Sequence, residues 1–409
     1  ITFVFSAYLA DSVARDRPPG SLSGATWLAI SGAIAGLAVA AFAPVTGQRA
    51  DAAGHRRRSL GVWSALVIAT TVGLFFVRDE YSYFALGLVL LGLGTIFQEF
   101  AGVSYNAMLP QVSTPDTLGK ISGIGWASGY LGGIVVLLLS YLLFIAPEVG
   151  LFGVTAEGGL KYRVLALVVA VWFAVFAVPV LFAVPETAPR GSGERVGFFA
   201  SYRIIGQTVR DLYAVERHAV WFLLASALYR DGLAAVFSYG AVLAVTVYGL
   251  SPDDVIVFGV AANVVAAAGA FTAGWIEDRV GPKPVILVAL AALVICATVL
   301  LFASGSTMFW IFGLALCFWV GPAQSSSRTY LARLSPVGRE GQMFGLYATT
   351  GRAASFLAPG LFALFAGVFG SDRLGIVGIA LVLLAGALAL LRVKPPPHQQ
   401  PKSLTPGAV

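Results

Sequence analysis

The chain has 409 residues, of which 58% are hydrophobic and only 11% charged. A soluble globular domain carries roughly 25% charged residues, so this composition excludes a water-facing surface of ordinary size. The net charge of +6 says less than its distribution along the chain.

In chain order, apolar blocks near the ~20 residues of a bilayer-spanning helix alternate with short polar breaks. They predict twelve spans, near 1–10, 24–45, 59–77, 82–109, 118–145, 163–184, 218–246, 252–275, 284–303, 307–332, 342–369 and 374–391. Backbone polar groups must pair internally in lipid, and these blocks are too long and too uniform for barrel strands, so each reads as a helix. The fold class is all-α membrane protein. The first span looks like the second half of a helix, which predicts that numbering begins inside it.

With the loop after the second span cytoplasmic, seventeen of the 26 Lys and Arg residues fall on that side and six on the other. Arg230, Arg328 and Arg352 stay inside spans. The positive-inside rule then puts both termini in the cytoplasm. Ala-, Gly-, Val- and Arg-rich usage points to a bacterial inner membrane. Two cysteines and three histidines give no disulfide framework or metal-ligand spacing, so no metal, no cofactor and no enzyme chemistry are expected. No phosphate-binding GxxxxGK[ST] occurs.

The longest polar interruption, 185–217, divides a bundle over 1–184 from a second over 218–393, with a tail at 394–409. It opens with Pro185, Pro189, Gly191 and Gly193. Phe198, Phe199, Tyr202, Ile205, Val209 and Leu212, interleaved with Arg203 and Arg210, predict an interfacial amphipathic helix.

The two halves repeat. Gly47, Asp51 and Gly54 recur as Gly274, Asp278 and Gly281, each 227 positions on. The second copy, Gly274-Trp-Ile-Glu-Asp278-Arg279-Val-Gly281-Pro-Lys283, resembles the GxxxDRxGxK signature of the major facilitator superfamily. The first copy ends in Arg56 and departs from the signature at Ala52. That resemblance implies two six-helix bundles related by a pseudo-two-fold axis, a solute site between them and alternating access. It also implies that Asp51 latches the start of the eleventh span and Asp278 the start of the fifth. Each carboxylate would sit at the electropositive end of the facing helix. Gly125, Gly129 and Gly133, and Gly32 with Gly36, form small-residue faces of the kind that let membrane helices approach closely.

Ionisable groups at bilayer depth cost about 2.5–3.5 kcal/mol each, so they usually face a cavity. Arg230 and Asp231 lie near the middle of the seventh span, Glu99 and Asn106 on one face of the fourth, and Arg352 in the eleventh. Asp231 and Glu99 are candidates to carry a proton or bind a cationic group, and Arg230 and Arg352 to clamp an anionic one. Arg328, closer to a span end, reads as a snorkelling side chain. Tyr229, Gln324, Trp126 and Tyr130 complete the candidate set, the last two as cavity walls or as helix contacts.

Three segments resemble one family more closely. They are Tyr105-Asn-Ala-Met-Leu-Pro110 with Ser122-Gly-Ile-Gly-Trp126, Leu228-Tyr-Arg-Asp-Gly232, and Gly321-Pro-Ala-Gln-Ser-Ser-Ser-Arg328 continuing to Phe344-Gly-Leu-Tyr347 and Gly351-Arg352. Together they are similar to the vacuolar amino-acid effluxer-like family that contains the autophagy-related permease. The resemblance implies a monomeric secondary transporter, in contact with membrane lipid and not nucleic acid. It would move a small polar or zwitterionic, amino acid-like solute, with export favoured and protons as a possible coupling ion. A multidrug or organic-anion exporter, or a non-transporting membrane sensor, is the alternative.

Overall fold

The computed structural model describes residues 2–186 and 198–394. Its helices are α1 (Thr2–Tyr8), α2 (Gly24–Ala53), α3 (Arg56–Gly73), α4 (Phe84–Ala107), α5 (Leu118–Ser140), α6 (Leu160–Ala183), α7 (Phe198–Val215), α8 (Arg217–Thr246), α9 (Pro252–Val280), α10 (Pro282–Phe302), α11 (Ser306–Leu334), α12 (Glu340–Ala354), α13 (Leu357–Phe369) and α14 (Asp372–Leu391). Among the described residues, eleven helical segments are long and apolar enough to cross a membrane, and a shorter apolar helix covers Val4–Val13. Large apolar side chains on their outer faces, such as Leu37, Val171 and Phe182, are exposed, as a lipid-covered surface requires.

Helix ends follow local chemistry. The Ser23 hydroxyl accepts the Thr26 amide at the start of α2, and Ser251 and Asp254 form a capping box for α9. Gly54 ends α2 in the left-handed conformation, at φ 68°. Pro282 starts α10 directly after Gly281, which bends at φ 84°.

Two expectations are corrected. α2 and α9 run past the predicted limits of 45 and 275, so Gly47, Asp51 and Asp278 lie on helices and not in loops. Their polar residues keep helical spacing, and the true loops shrink to Gly54-His55 and Gly281. The eleventh span, predicted as continuous over 342–369, breaks into α12 and α13 at Ser355-Phe356. Pro359 in the first turn of α13 has no N–H for the Ser355 carbonyl, which loosens the ladder where the helix breaks.

α2, α3, α4 and α6 pack together, as do α8 to α11, α13 and α14; the two groups meet through α5 against α9 and α2 against α12. The amphipathic helix α7 forms between them, packed on α2 and α8. Its buried face is Ser201, Ile205, Thr208 and Leu212, whereas Phe199 and Tyr202 are exposed. The buried face shares Ile205 and Leu212 with the predicted apolar face and adds Ser201 and Thr208, which are small enough to sit against neighbouring helices. Pro189, Gly191, Gly193 and the tail from 395 lie outside the described residues.

Candidate functional site

The residues of the repeated motif gather at one end of the bundle, called here the motif face. α2 and α12 run antiparallel there. A Cβ on Gly47 would stand 1.9 Å from the Gly341 carbonyl oxygen, and one on Gly345 would stand 2.6 Å from that of Ala43. Only glycine permits this approach. The Asp51 carboxylate accepts the Gly341 amide at 3.1 Å and the Gln342 amide at 2.8 Å. These are free first-turn donors of α12, where helix polarity favours an anion. Arg56 ties the junction together, donating to Asp51 (2.7 Å), Glu340 (2.5 Å) and the Ala107 carbonyl (3.2 Å).

The second junction repeats the first. Asp278 of α9 accepts the amides of Gly119 (2.8 Å) and Lys120 (2.9 Å) at the start of α5. A Cβ on Gly274 would stand 2.6 Å from the Gly119 carbonyl oxygen, and one on Gly123 2.5 Å from that of Ala270. The Lys120 ammonium lies 3.9 Å over the Trp275 ring. Two motif residues do not join the junction. Arg279 is exposed in the last turn of α9, at the negative end of the helix dipole. Lys283 donates to the carbonyls of Leu391 (3.0 Å) and Val393 (2.6 Å), closing the end of α14.

One residue of this layer carried only a faint sequence signal. Glu277 is fully buried and accepts the Ser326 hydroxyl at 2.7 Å. It stands three residues after Gly274, on the same helix face, and only its place inside the motif singled it out.

Toward the opposite face the small-residue stripes are not in contact. A Cβ on Gly32, Gly36, Gly129 or Gly133 would meet nothing within 4 Å. The small-residue faces expected to mediate close packing are thus open at that end. Only Gly125 is covered, by Arg328 and the Tyr105 hydroxyl. Four-residue spacing fixes a shared face but not what fills it.

Between the junctions and the open end lies a polar layer that crosses the two halves. Thr349 of α12 donates to the Ala40 carbonyl at 2.9 Å. Pro44 has no N–H for that carbonyl, so the hydroxyl replaces a missing helix bond. Arg352 of α12 is ion-paired to Glu99 of α4, both side chains about one-third exposed, at 32% and 33%. The Tyr130 hydroxyl of α5 meets Gln324 of α11 at 3.4 Å. Trp126 and Tyr130 pack on Ala127, Ala267 and Ala270, so helix contact is their main role here; the buried Trp126 Nε1 has no hydrogen-bond partner among the described residues.

Arg328 departs from its reading as a snorkelling side chain. It is buried, and it donates to the Ser122 hydroxyl (3.0 Å) and carbonyl (2.8 Å) and to Asn106 (3.2 Å). Distance from a span end could not reveal that α4 and α5 cover it.

Arg230 and Asp231 point to different partners. The Arg230 guanidinium lies 3.6 Å over the Tyr347 ring and donates to the Tyr347 carbonyl at 2.9 Å. Tyr347 is itself held by Ser327 (2.6 Å), which meets the fully buried Tyr229 (2.6 Å). Tyr229 therefore supports the stack and faces no open space. Asp231 is buried and accepts the Ala358 amide at 2.6 Å. It caps α13 from another helix, satisfying a donor freed by the break at Ser355-Phe356.

The profile of the family described as "Vacuole effluxer Atg22 like" matches residues 24–396. The MFS-type transporter YxiO of Bacillus subtilis (strain 168) is 24% identical over 393 residues, 95% of this chain and 89% of the relative. Autophagy-related protein 22 of Cryptococcus neoformans var. neoformans serotype D is 28% identical over 303 residues, 68% of this chain. The match spans about half the length of that fungal relative, 53%. Among solved structures, the major facilitator transporter FucP in its outward conformation superposes with a TM-score of 0.72 at 13% identity, over 96% of each chain. The proton:xylose symporter XylE, bound to a deoxyglucose derivative, gives 0.72 at 15% identity, over 95% of this chain and 90% of that one. These likenesses establish the major facilitator fold. The chain is an integral multi-pass membrane protein of that fold, and it belongs to the vacuole effluxer Atg22-like family of transporters.

Proposed function

We propose that the protein is a secondary transporter that carries a small polar solute by alternating access. Residues 1–184 and 218–393 act as the two rocking bundles, and 185–217 links them. The observation that carries this reading is the asymmetry of the same helix pairs. α2 with α12 and α5 with α9 are sealed backbone to backbone at the motif face, yet Gly36 of α2, on the same helix face as Gly47, meets nothing within 4 Å. Such a molecule is closed on one side and parted on the other. With the motif face cytoplasmic, as the Lys and Arg bias suggests, this is the outward-facing state.

Asp51 and Asp278 act as the gate latches. Each holds two amides of the opposite half, and releasing both is the step that opens the motif face. The family description as effluxers favours export, and the family resemblance favours amino acid-like solutes; proton coupling fits the acidic groups at depth.

The test is solute exchange in proteoliposomes by a Lys120→Cys, Trp275→Cys double variant. These two side chains touch across the second junction. Oxidation should stop exchange and a reductant should restore it. Full exchange by the oxidised, cross-linked protein would remove the gate from this account.

A further inference from the structure

We propose that the polar layer between the halves binds a monoanionic, carboxylate-bearing solute, with Arg230 as its primary ligand. This rests on the alternating-access transporter reading and replaces the amino acid-like solute favoured by the family resemblance with an anionic one.

Two features define the site. Arg230 has no acid within 4.0 Å among the described residues, although Asp231 follows it directly in sequence. Its guanidinium is nonetheless fixed. One face lies on the Tyr347 ring, one edge donates to the Tyr347 carbonyl, and Gly351 leaves room for it, since a Cβ there would stand 3.0 Å from Nη1. The Tyr229–Ser327–Tyr347 chain holds the ring below it. A half-buried, pre-oriented guanidinium with unused donors is suited to a planar carboxylate, which it can grip through two parallel bonds.

The acids of the layer are already engaged. Asp231 is buried against the first-turn amides of α13. Glu99 is paired with Arg352, one residue beyond Gly351 on α12. A zwitterion entering this layer would find a cation for its carboxylate but no free carboxylate for its ammonium group. An amine would find neither. The free valence of the layer is positive, so a single negative charge completes it.

The Glu99–Arg352 pair adds a second consequence. Arg352 lies within two helical turns of Tyr347 on α12, on which Arg230 rests. Glu99 neutralises Arg352, so removing the Glu99 charge frees a second cation on the helix that carries Tyr347.

The experiment uses purified full-length protein and matched probes: phenyllactate, phenylalanine and phenethylamine, with lactate, alanine and glycerol phosphate as smaller and phosphate-bearing counterparts. Binding is read by thermal shift and by exchange in proteoliposomes. The carboxylate anions should stabilise the protein and exchange, while the amine and the zwitterions do so at least ~10-fold more weakly, a difference of about 1.4 kcal/mol. Arg230→Gln should abolish the carboxylate response and Arg230→Lys should keep part of it. Glu99→Gln, which frees Arg352 as a second cation, should tighten carboxylate binding several-fold, a gain that a merely structural ion pair would not give. Preference for zwitterion or amine, preference for phosphate over carboxylate, or no response to any probe overturns the proposal. If zwitterions exchange and that exchange stops on cross-linking Lys120→Cys to Trp275→Cys, the solute class falls and the alternating-access reading stands.

Discussion

Gly47 of α2 and Gly341 of α12 touch backbone to backbone, so closely that a Cβ on Gly47 would stand 1.9 Å from the Gly341 carbonyl oxygen. No rotamer change relieves that collision, because a Cβ is fixed by the main chain it hangs on and the group it meets is itself main chain. Gly47→Leu should therefore hold the motif face open. Spin-label distances across that face should lengthen relative to wild type, and exchange should fall at least ~10-fold while the protein still purifies as a folded monodisperse species. Unchanged distances would show that α2 and α12 need not touch to close.

Removing a latch charge should act more gently than blocking the contact. Asp51→Asn keeps the side-chain shape but loses the charge that two amides of α12 share. Hydrogen bonds to charged groups contribute about 1.5–3 kcal/mol, so the closed-to-open ratio should drop by roughly 10- to 100-fold. Labelling of a cysteine placed on the motif face should speed up accordingly. Asp278→Asn should do the same at the second junction. Labelling rates equal to wild type in both variants would mean that the glycine contacts alone set the closed state.

Asp231→Ala should act on stability. It removes the cap of α13 at a helix break inside the membrane-spanning region, and caps contribute about 0.5–2 kcal/mol. A lower unfolding temperature in detergent is expected, with Asp231→Asn intermediate because its amide oxygen still accepts one N–H. A loss of exchange with no loss of stability would move Asp231 from a supporting to a transporting role.

Thr349 and Pro44 make a coupled pair without touching through side-chain chemistry of their own. Pro44 strips the Ala40 carbonyl of its helix donor, and Thr349 supplies the replacement at 2.9 Å. Thr349→Val should cost about 1–3 kcal/mol by leaving that carbonyl unpaired. In a Pro44→Ala background, where α2 can bond the carbonyl itself, the same substitution should cost measurably less. Additive effects across this double-mutant cycle would contradict the assignment.

The spans were readable because hydropathy is a local property. The junctions were readable because the duplicated Gly47-Asp51-Gly54 and Gly274-Asp278-Gly281 mark equivalent points of two halves, and the superfamily signature names their partners. The polar layer was readable only as an inventory. Glu99, Arg230, Asp231, Arg328 and Arg352 announce themselves as charges inside apolar blocks, but helical position alone cannot distinguish the partners each one meets.

The membrane-crossing helices, the two-fold repeat and the residues that need explaining are legible along the chain, since length, apolarity and duplication are local or repeated patterns. The tertiary structure decided the partners: Arg352 with Glu99, Asp231 with the start of α13, Arg328 with Ser122 and Asn106, and Arg230 with the ring of Tyr347. It also decided that Gly47 is in contact while Gly36, on the same helix, is in the open. These are relations between helices far apart in sequence, and they follow from how the two halves lean on each other, which no local periodicity encodes.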